Sequence, residues 1–336
     1  MSLRPKVGIN GFGRIGRVLF RAGFDKLEVL AINDMTDCKT LAHLLAYDSI
    51  HGRFPGTVEA KENALVVNGK TIPVVTTKDP GGIPWKSYGV DLVLECTGAL
   101  KKKDDALLHI NKGGAKRVMI SAPADDSDFT VVYGVNHTEY SPAKHLVVSN
   151  ASCTTNCLAP IVKILHSTFG IESGFMTTVH SYTNDQRLMD AGHKDMRRAR
   201  AAALSMIPTT TGAAKTVGRV ISDLKGKIDG VSIRVPTPNV SLIDFVAVVK
   251  KDTTVAQVNE VLTKAATGDY KEIMVAEKNE LVSCDFNGAT PSATIDLPST
   301  QMIGTRMVKV LAWYDNETGF SNRMVDLALY MAKLGL

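Results

Sequence analysis

The sequence predicts an α/β protein of two domains, a doubly wound parallel sheet followed by an α+β domain with a mixed or antiparallel sheet. Up to about residue 122, short β-branched runs alternate with amphipathic helical patterns. Past residue 145 the strands become longer and the helices between them fewer. At about 150 residues per domain, the 336 residues are long enough for two domains. The alternation of strands and helices in the first half predicts a parallel sheet. Its loss in the second half predicts a mixed or antiparallel one.

The first half alternates strands and helices from its start. Its elements, in order, are VGIN, the helix RIGRVLFRAGF, LEVLAIND, the helix TLAHLLAYD, DLVLECTG, the helix KDDALLHINKG, and KRVMISAP. Such βαβ units form a parallel sheet whose ligands bind beyond the carboxyl ends of the strands. We assign residues 1–151 to this first domain and expect a ligand site at that edge.

The second half has long strands and one clear helix between them. The strands are GFMTTVHSYT, DGVSIRVPTP, VSLIDFVAVVKK and TRMVKVLAWYDNE, and the helix VAQVNEVLTKAA follows the cap candidates Thr253 and Thr254. We assign residues 152–316 to this domain. The apolar stripe of SNRMVDLALYMAKL predicts a last helix with Ser321 as its N-cap. We expect residues 317–336 to return to the first domain.

Composition excludes several classes of protein. The chain is 44% apolar and 22% charged, as in globular proteins rather than disordered ones. Its net charge of +5 gives no support to nucleic acid as the main ligand. No apolar run reaches the ~18 residues of a membrane span, and no signal-peptide pattern opens the chain. Five thinly spread cysteines suit reduced thiols, and none has zinc-ligand spacing. We expect a metal-free cytoplasmic protein.

The segment GINGFGRIGR predicts a dinucleotide site of the Rossmann type. It contains GxGxxG at Gly11, Gly13 and Gly16, directly after a strand and at the start of a helix. The first glycine permits the tight turn, the second lets the backbone approach a pyrophosphate, and the third lets helix and strand pack closely. The pyrophosphate is expected at the helix N-terminus, on the backbone near Arg14 and Ile15.

A carboxylate follows at the spacing that favours NAD. Asp34 ends the second strand, 21 residues after Gly13, where a carboxylate accepts hydrogen bonds from ribose hydroxyls and repels a 2′-phosphate. The alternative is a structural glycine turn with Asp34 as a helix cap. Thr97, Gly98 and Ser121 end further strands and either line the same crevice or form ordinary turns.

Cys153 is the candidate nucleophile. The strand-like HLVVSNA precedes it and a helical pattern follows, which places Cys153 at a helix N-terminus with Ser152 as the cap. Unpaired N–H groups and the helix dipole favour a thiolate there, whereas Cys157 lies one turn further in and is expected to be inert. His180, 27 residues downstream in a strand, is the candidate base. Spacing alone leaves that pair open, and the other seven histidines are interpreted as surface or structural groups.

Anion-binding residues cluster in the second half. Taken alone, the run KDMRRARAA has several interpretations: an exposed helix face, a nucleic-acid patch or an anion site. Hydroxyls and small-residue backbone suited to oxyanions occur at Ser152, Thr154 and residues 209–211 before Gly212, and Arg234 ends a strand. These residues predict two anion sites, which fit two phosphates.

Seven ordered motifs resemble the phosphorylating glyceraldehyde-3-phosphate dehydrogenases from end to end. They are NGFGRIGR, SNASCTTNCLAP, HSYTNDQ, HKDMRRARAA, PTTTGAAK, RVPTPNVS and WYDNETGFSNR. The resemblance implies oxidation of D-glyceraldehyde 3-phosphate with NAD and inorganic phosphate to 1,3-bisphosphoglycerate, through a thiohemiacetal and a thioester on Cys153 with His180 as base. It also implies a homotetramer, in which an S-shaped loop at 184–207 reaches a neighbour's cofactor.

The resemblance also implies the remaining site residues. Inorganic phosphate is assigned to Ser152, Thr154, Thr211 and Gly212, and the substrate phosphate to Thr183, Arg198 and Arg234. The cofactor is assigned to Asn10, Gly11, Gly13, Arg14, Ile15, Gly16, Asp34, Lys78, Thr97, Ser121 and Asn316, with Asn316 on the nicotinamide carboxamide.

Four residues, at three places in the chain, depart from the commonest residues of the family. Ala191 and Gly192 replace a frequent Leu-Pro near a neighbour's adenosine ribose, which leaves NADP use open. Phe320 replaces a usual Tyr and loses a hydroxyl, and Lys78 replaces a frequent Arg and loses its flat stacking surface. Two other functions stay open from the sequence: a paralogue acting on erythrose 4-phosphate, and a non-catalytic nucleotide-binding or RNA-binding protein.

Overall fold

The computed structural model describes residues 4–336 and divides into two compact units. One unit runs to Val131 and adds His137–Ala151 and Ser321–Leu336, and the other contains Val132–Asn136 and Ser152–Phe320. The first is built on a mostly parallel sheet and the second on a mixed one, which confirms the predicted α/β fold class. The functional domain boundaries stay a prediction.

The first unit is a nine-stranded sheet with helices between its parallel strands. Its elements are β1 (Lys6–Asn10), α1 (Arg14–Gly23), β2 (Glu28–Asn33), α2 (Cys38–Ala46), β3 (Tyr47–Asp48), β4 (Gly52–Arg53), β5 (Val58–Lys61), β6 (Ala64–Val67), β7 (Lys70–Val75), β8 (Leu92–Glu95), α3 (Lys103–Asn111), β9 (Arg117–Ile120), β10 (Phe129–Thr130) and β11 (Val147–Ser149). The order in the sheet is β10-β11-β9-β8-β1-β2-β7-β6-β5.

The order of strands places the ligand edge at the end of β1. From β1 the chain continues to β2 on one side, and β8 and β9 lie on the other, so the order reverses between β1 and β8. Ligands of open α/β sheets bind at such a point, beyond the carboxyl ends of the strands. Strand β8 is buried along its whole length, as expected for a central parallel strand. The antiparallel strands β5 and β6 were not predicted from the sequence.

The second unit is a seven-stranded mixed sheet. Its elements are α4 (Cys153–Phe169), β12 (Ile171–Ser181), β13 (Ile207–Thr210), α5 (Ala213–Val220), β14 (Ile228–Val235), β15 (Ser241–Val249), α6 (Val255–Thr267), β16 (Met274–Glu277), β17 (Ala293–Ile303) and β18 (Met307–Tyr314), before the last helix α7 (Thr318–Lys333). The sheet order is β13-β14-β12-β15-β18-β17-β16. Residues of β15 alternate strictly between buried and half-buried, so one face of the sheet forms the core.

The structure shows which of the predicted helix N-caps are formed. The Thr254 side chain accepts a hydrogen bond from the Gln257 N–H at 3.3 Å and caps α6, as predicted. The prediction of Ser321 as the cap of the last helix was wrong, because α7 begins at Thr318. The Asp315 carboxylate accepts the N–H of Thr318 at 2.8 Å and starts the helix three residues earlier. The short helix α5 was not predicted.

Within residues 4–336, every helix is too short or too polar to cross a lipid bilayer.

Candidate functional site

The three glycines of the GxGxxG turn differ in what surrounds them. Gly11 has a φ of +89°, and a Cβ there would lie 2.7 Å from the Thr97 nitrogen. A Cβ on Gly16 would lie 2.2 Å from the Gly11 carbonyl oxygen. Gly13, the N-cap of α1, has no atom within 4 Å of its added Cβ. Two glycines are thus required by packing, and the third leaves open space over the backbone of Ile15 and the first helical turn.

The start of α1 and the end of β2 together fit a dinucleotide. N–H groups of the first helical turn point out of the N-terminus, where the helix dipole favours an anion. The two oxygens of Asp34 are held by the Phe12 N–H at 2.6 Å and the Thr36 N–H at 2.9 Å, which fixes this carboxylate beside the turn. The Arg14 guanidinium is paired with Asp48 at 2.6 Å. Open space, an anion-binding helix end and a fixed acceptor for ribose hydroxyls are what NAD requires.

Two predicted cofactor residues use their side chains inside the protein. The Asn10 amide donates to Glu95 at 2.5 Å and accepts from Asn33 at 2.7 Å. Thr97 directs its N–H, at 2.8 Å, and its hydroxyl onto the same Glu95 carboxylate. Both side chains therefore direct a polar hydrogen at Glu95 rather than at a ligand.

The remaining cofactor candidates lie at the ends of other elements. Lys78 is exposed beyond β7. Ser121 follows β9 and donates its N–H to the Glu95 carbonyl at 2.9 Å. Asn316 belongs to the second unit and is buried, with its Oδ1 accepting from the Ser181 hydroxyl at 2.8 Å and the Ser241 hydroxyl at 3.0 Å. Those two serines orient the amide so that its NH₂ faces away from them; serines on strands are too common for the sequence to have indicated this role.

The Cys153 thiol lies at the first residue of α4, and the predicted cap is confirmed. Ser152 accepts the Thr155 N–H at 3.1 Å. Strand β12 carries His180 to the same place, with Cys153 Sγ 3.5 Å from His180 Nε2. The structure therefore brings together the two residues whose proximity the spacing could not establish.

The hydrogen bonds of His180 fix its tautomer. Its Nδ1 lies 2.7 Å from the Ser181 carbonyl oxygen and 3.1 Å from Arg234 Nη1. The carbonyl can only accept and the contact to it is the shorter, so Nδ1 carries the hydrogen. Arg234 Nη1 lies 3.1 Å from the same carbonyl and donates to it. Nε2 is then an unprotonated nitrogen facing the sulfur of Cys153, the arrangement of a base beside its nucleophile.

Burial controls the charges of this pair. It raises the pKa of the Cys153 thiol, while the Arg234 charge and hydrogen bonds from Thr154 act in the opposite direction. The expectation of a thiol shifted toward thiolate was therefore wrong for the resting protein, because burial outweighs the helix N-terminus. Burial and the charges of Arg234 and Arg198 lower the pKa of His180 to about 3. The resting pair is a thiol beside a neutral imidazole.

The other cysteines whose pKa burial raises have no cation acting against the shift. Burial and the neighbouring Cys153 raise the pKa of Cys157 well above its ordinary value, with no cation opposing the shift. Burial likewise raises the pKa of Cys96, helped by the charge of Glu95. Only at Cys153 does a buried cation favour the thiolate, which agrees with the predicted order of reactivity.

The residues assigned to inorganic phosphate surround the starts of two helices. The Thr155 hydroxyl donates to the Ala213 carbonyl at 3.4 Å and joins the beginning of α4 to that of α5. Thr211 accepts the Ala213 N–H at 3.2 Å, and Gly212 is the exposed N-cap of α5. Ser152, Thr211 and Gly212 are thus brought together at two helix N-termini, which favour an anion.

Thr154, the fourth of these residues, is turned inward. Its hydroxyl is buried and lies 2.8 Å from the Tyr314 hydroxyl, which also lies 2.8 Å from the Thr178 hydroxyl. A phosphate contact from Thr154 therefore has to come from its backbone. Tyr314 was not singled out in the sequence, where it reads as a strand residue of the core.

The two arginines assigned to the substrate phosphate occupy different positions. Arg234 lies 3.4 Å from the Thr183 hydroxyl and beside the His180 imidazole. Arg198 donates to the Thr209 hydroxyl at 3.0 Å and is paired with the Asp185 carboxylate. Arg198 thus lies toward the helix N-termini and Arg234 toward the nucleophile. Burial lowers the pKa of Arg234, and the nearby charge of Arg198 lowers it further.

The three family departures lie in different surroundings. An added Cβ on Gly192 meets no atom within 4 Å, so this part of the loop is open. Ala191 donates its N–H to the Ala199 carbonyl at 3.0 Å. Phe320 is buried, and Lys78 is exposed. In the part of the chain that the structure describes, no group of three or more His, Cys, Asp or Glu residues is arranged to hold a metal ion.

Family comparison identifies both halves of the chain. Residues 5–103 match the model "glyceraldehyde 3-phosphate dehydrogenase, NAD binding domain", and residues 152–316 match the C-terminal domain of the same family. The chain belongs to the glyceraldehyde-3-phosphate dehydrogenase family. The GxGxxG turn and Asp34 lie in the NAD-binding domain, and Cys153 and His180 lie in the C-terminal domain of the family.

Relatives match over nearly the whole chain. Glyceraldehyde-3-phosphate dehydrogenase 1 of Bacillus cereus is 58% identical over 333 residues, which cover 98% of this chain and 99% of the relative. The glyceraldehyde-3-phosphate dehydrogenase of Geobacillus stearothermophilus is also 58% identical over the same shares. That of Xanthobacter flavus is 53% identical over 98% of this chain and 99% of the relative. This chain contains the NAD-binding domain of the family and uses NAD as its cofactor.

Proposed function

We propose that this chain catalyses the oxidative phosphorylation of D-glyceraldehyde 3-phosphate, with NAD and inorganic phosphate, to 1,3-bisphosphoglycerate and NADH in glycolysis and gluconeogenesis. One observation carries the mechanism: the Cys153 sulfur lies 3.5 Å from the unprotonated nitrogen of His180. Family membership supplies the substrate, and the relatives named above are all glyceraldehyde-3-phosphate dehydrogenases.

The first step makes the aldehyde carbon tetrahedral. His180 Nε2 takes the thiol proton as the Cys153 sulfur attacks the carbonyl carbon, and the proton passes on to the new alkoxide to give a thiohemiacetal. The positive charge of Arg234 and the N–H groups at the start of α4 stabilise the developing negative charge. His180 Nε2 can take this proton because Nδ1 carries the ring hydrogen.

The second step oxidises that carbon. His180 takes the hydroxyl proton while the carbon loses a hydride, and a thioester on Cys153 remains. NAD bound at the GxGxxG turn and Asp34 would supply the hydride acceptor. An oxygen of inorganic phosphate then attacks the thioester carbonyl and displaces the sulfur. The product is an acyl phosphate, and the proton on His180 returns the thiolate to a thiol.

Two anion clusters support the use of two phosphates. We place inorganic phosphate at Ser152, Thr211 and Gly212, where the helix starts meet, and the substrate phosphate between Thr183 and Arg234. Arg198 donates to the Thr209 hydroxyl beside the first cluster, and its charge is felt at Arg234 in the second. It is therefore the ligand able to serve either phosphate.

Steady-state NADH formation tests the substrate. With glyceraldehyde 3-phosphate and NAD, turnover is expected to require inorganic phosphate and to exceed turnover on erythrose 4-phosphate, measured by absorbance under the same conditions. Higher kcat/KM with erythrose 4-phosphate would assign the chain to a paralogue of different specificity. Absence of turnover on both aldehydes, with NAD still bound, would favour the non-catalytic nucleotide-binding alternative.

Asp34→Ala is expected to improve the use of NADP relative to NAD. The negative charge beside the ribose site repels a 2′-phosphate, and its removal is expected to raise the ratio of kcat/KM for NADP to that for NAD by about tenfold or more. Asp34→Asn separates charge from hydrogen bonding, because Asn keeps an acceptor for the Phe12 N–H. Asp37→Ala, which removes a carboxylate capping α2, is the control that leaves the ratio unchanged. An unaltered ratio in both Asp34 variants would refute charge repulsion.

We also propose a homotetramer in the cytoplasm. Five large apolar side chains of the 184–207 loop are 69% or more exposed in the single chain: Leu188, Met189, Met196, Leu204 and Met206. So many exposed apolar groups in one loop are typical of a protein interface, which supports the assembly that the family resemblance implies. The five cysteines are all free thiols, which suits a reducing compartment.

A further inference from the structure

A buried polar cluster lies beneath the GxGxxG turn of the first unit. Asn33, Asn10 and Glu95 are the last residues of three adjacent parallel strands, and Asn10 is in register with both of the others. Their side chains therefore line up on one face of the sheet, at its ligand edge. They are only 6%, 3% and 1% exposed. Of the three, only Asn10 was assigned to the cofactor, and the reaction steps described above use neither Asn33 nor Glu95.

Four donors converge on the Glu95 carboxylate. Asn10 Nδ2, at 2.5 Å, and His109 Nε2, at 3.2 Å, contact one oxygen. The Thr97 N–H, at 2.8 Å, and the Thr97 hydroxyl contact the other. A carboxylate has about four lone-pair sites, so its accepting capacity is filled on both oxygens. Glu95 thus accepts a hydrogen bond at every one of these contacts.

The donors are themselves oriented by the protein. The Trp85 indole N–H, which can only donate, lies 3.0 Å from His109 Nδ1. The single hydrogen of a neutral imidazole is therefore on Nε2, directed at Glu95, and His109 contributes a dipole rather than a cation. Asn33 donates to Asn10 Oδ1 at 2.7 Å, which turns the NH₂ of Asn10 toward the carboxylate.

Glu95 connects this cluster to the turn that contacts NAD. Both Thr97 donors are held by Glu95, and the Thr97 nitrogen lies 2.7 Å from the position of a Cβ on Gly11, so the held segment packs directly on the first glycine. We propose that Glu95 is a positioning residue for NAD binding, which fixes the Thr97 segment against the glycine turn, and that His109 is the fixed donor that keeps its carboxylate in place. This rests on the proposed NAD-dependent function.

Glu95→Gln tests the carboxylate with an isosteric change. The Gln NH₂ necessarily faces two donors on one side, either Asn10 and His109 or the two of Thr97. The dissociation constant for NAD, measured by calorimetric titration without aldehyde or phosphate, is expected to rise roughly ten- to hundredfold, as for loss of a hydrogen bond to a buried charge. KM for NAD is expected to rise with it, while KM for the aldehyde and the alkylation rate of Cys153 without cofactor stay unchanged.

A pair of substitutions at His109 separates positioning from folding. His109→Gln keeps an oxygen for the Trp85 N–H and an NH₂ for Glu95, so NAD affinity is expected to stay within about threefold of the parent. His109→Leu keeps the bulk and removes the donor, and the dissociation constant is expected to rise about tenfold. His109 is fully buried on α3, so no direct contact with NAD explains such a difference. The two His109 variants test the positioning role even when Glu95→Gln does not fold.

Asp296→Asn provides the matched control in the second unit. Like Glu95, Asp296 is a buried carboxylate; it is 8% exposed and accepts the Trp313 indole N–H at 3.0 Å. Its substitution is expected to lower thermal stability without changing NAD affinity. Equal weakening of NAD binding by Asp296→Asn and Glu95→Gln, or equal affinity of the two His109 variants, would overturn the positioning role. Failure of the parent protein to bind NAD would instead overturn the proposed function.

Discussion

Cys153→Ser is expected to abolish phosphate-dependent NADH formation while leaving NAD binding intact. A serine hydroxyl at this position is a far weaker nucleophile than a thiol and cannot form the thioester from which phosphate takes the acyl group. Loss of the nucleophile is expected to lower kcat by about four orders of magnitude or more. Steady-state absorbance of NADH measures the loss, and calorimetric titration with NAD checks that the cofactor still binds.

Cys284→Ser is the control for Cys153→Ser. Cys284 is an exposed thiol of the second unit, so the same chemical change there is expected to leave kcat unaltered. The proposal would fail if Cys153→Ser kept a kcat within tenfold of the parent, because another group would then be attacking the aldehyde.

His180→Gln is expected to lower kcat by about 10²- to 10⁴-fold, the usual contribution of a positioned general base. In the parent protein an unprotonated Nε2 faces the Cys153 sulfur at 3.5 Å, whereas a Gln side chain offers no nitrogen that can accept a proton. Alkylation of Cys153 by iodoacetamide is expected to slow as well, because the thiol then lacks its base. Both rates are measured on the same preparation.

His43→Gln separates the general effect of losing an imidazole from the effect at Cys153. His43 is exposed on α2, in the first unit, and is expected to tolerate the change with both rates unaltered. A His180→Gln variant that kept its parent kcat and alkylation rate would show that His180 does not act on the thiol.

Local features of the sites were predictable from the sequence. The GxGxxG turn requires only that a strand ends before Gly11 and a helix begins after Gly13, and both are properties of neighbouring residues. The start of α4 at Cys153, with Ser152 as its cap, depends on the same kind of information. These predictions were therefore confirmed.

Features that depend on distant contacts were not predictable. The approach of His180 to Cys153 requires β12 to lie between β14 and β15 in the second sheet, which spacing does not encode. The rise in the pKa of Cys153 comes from burial by the folded protein, whereas the sequence showed only the helix N-terminus. Ser321 was placed at a helix start because the apolar stripe begins there.

The surroundings of Glu95, the buried carboxylate of the first unit, were likewise not predictable from the sequence. In the sequence, Glu95 follows the apolar run LVL in DLVLECTG, and two of its partners, Asn10 and His109, are far away along the chain. Asn10 comes from β1, and His109 comes from α3. A buried charge in a central strand needs several such partners, and only the fold brings them together.

A single turnover without inorganic phosphate tests the central claim most directly, because the thioester on Cys153 then has no phosphate to displace it. Mixing the protein with glyceraldehyde 3-phosphate and NAD is expected to give a burst of about one NADH per subunit, followed by slow turnover. Peptide mass spectrometry of the quenched sample is expected to find the acyl group on Cys153. Continuous turnover at the full rate without phosphate, or an unmodified Cys153 after the burst, would contradict the mechanism.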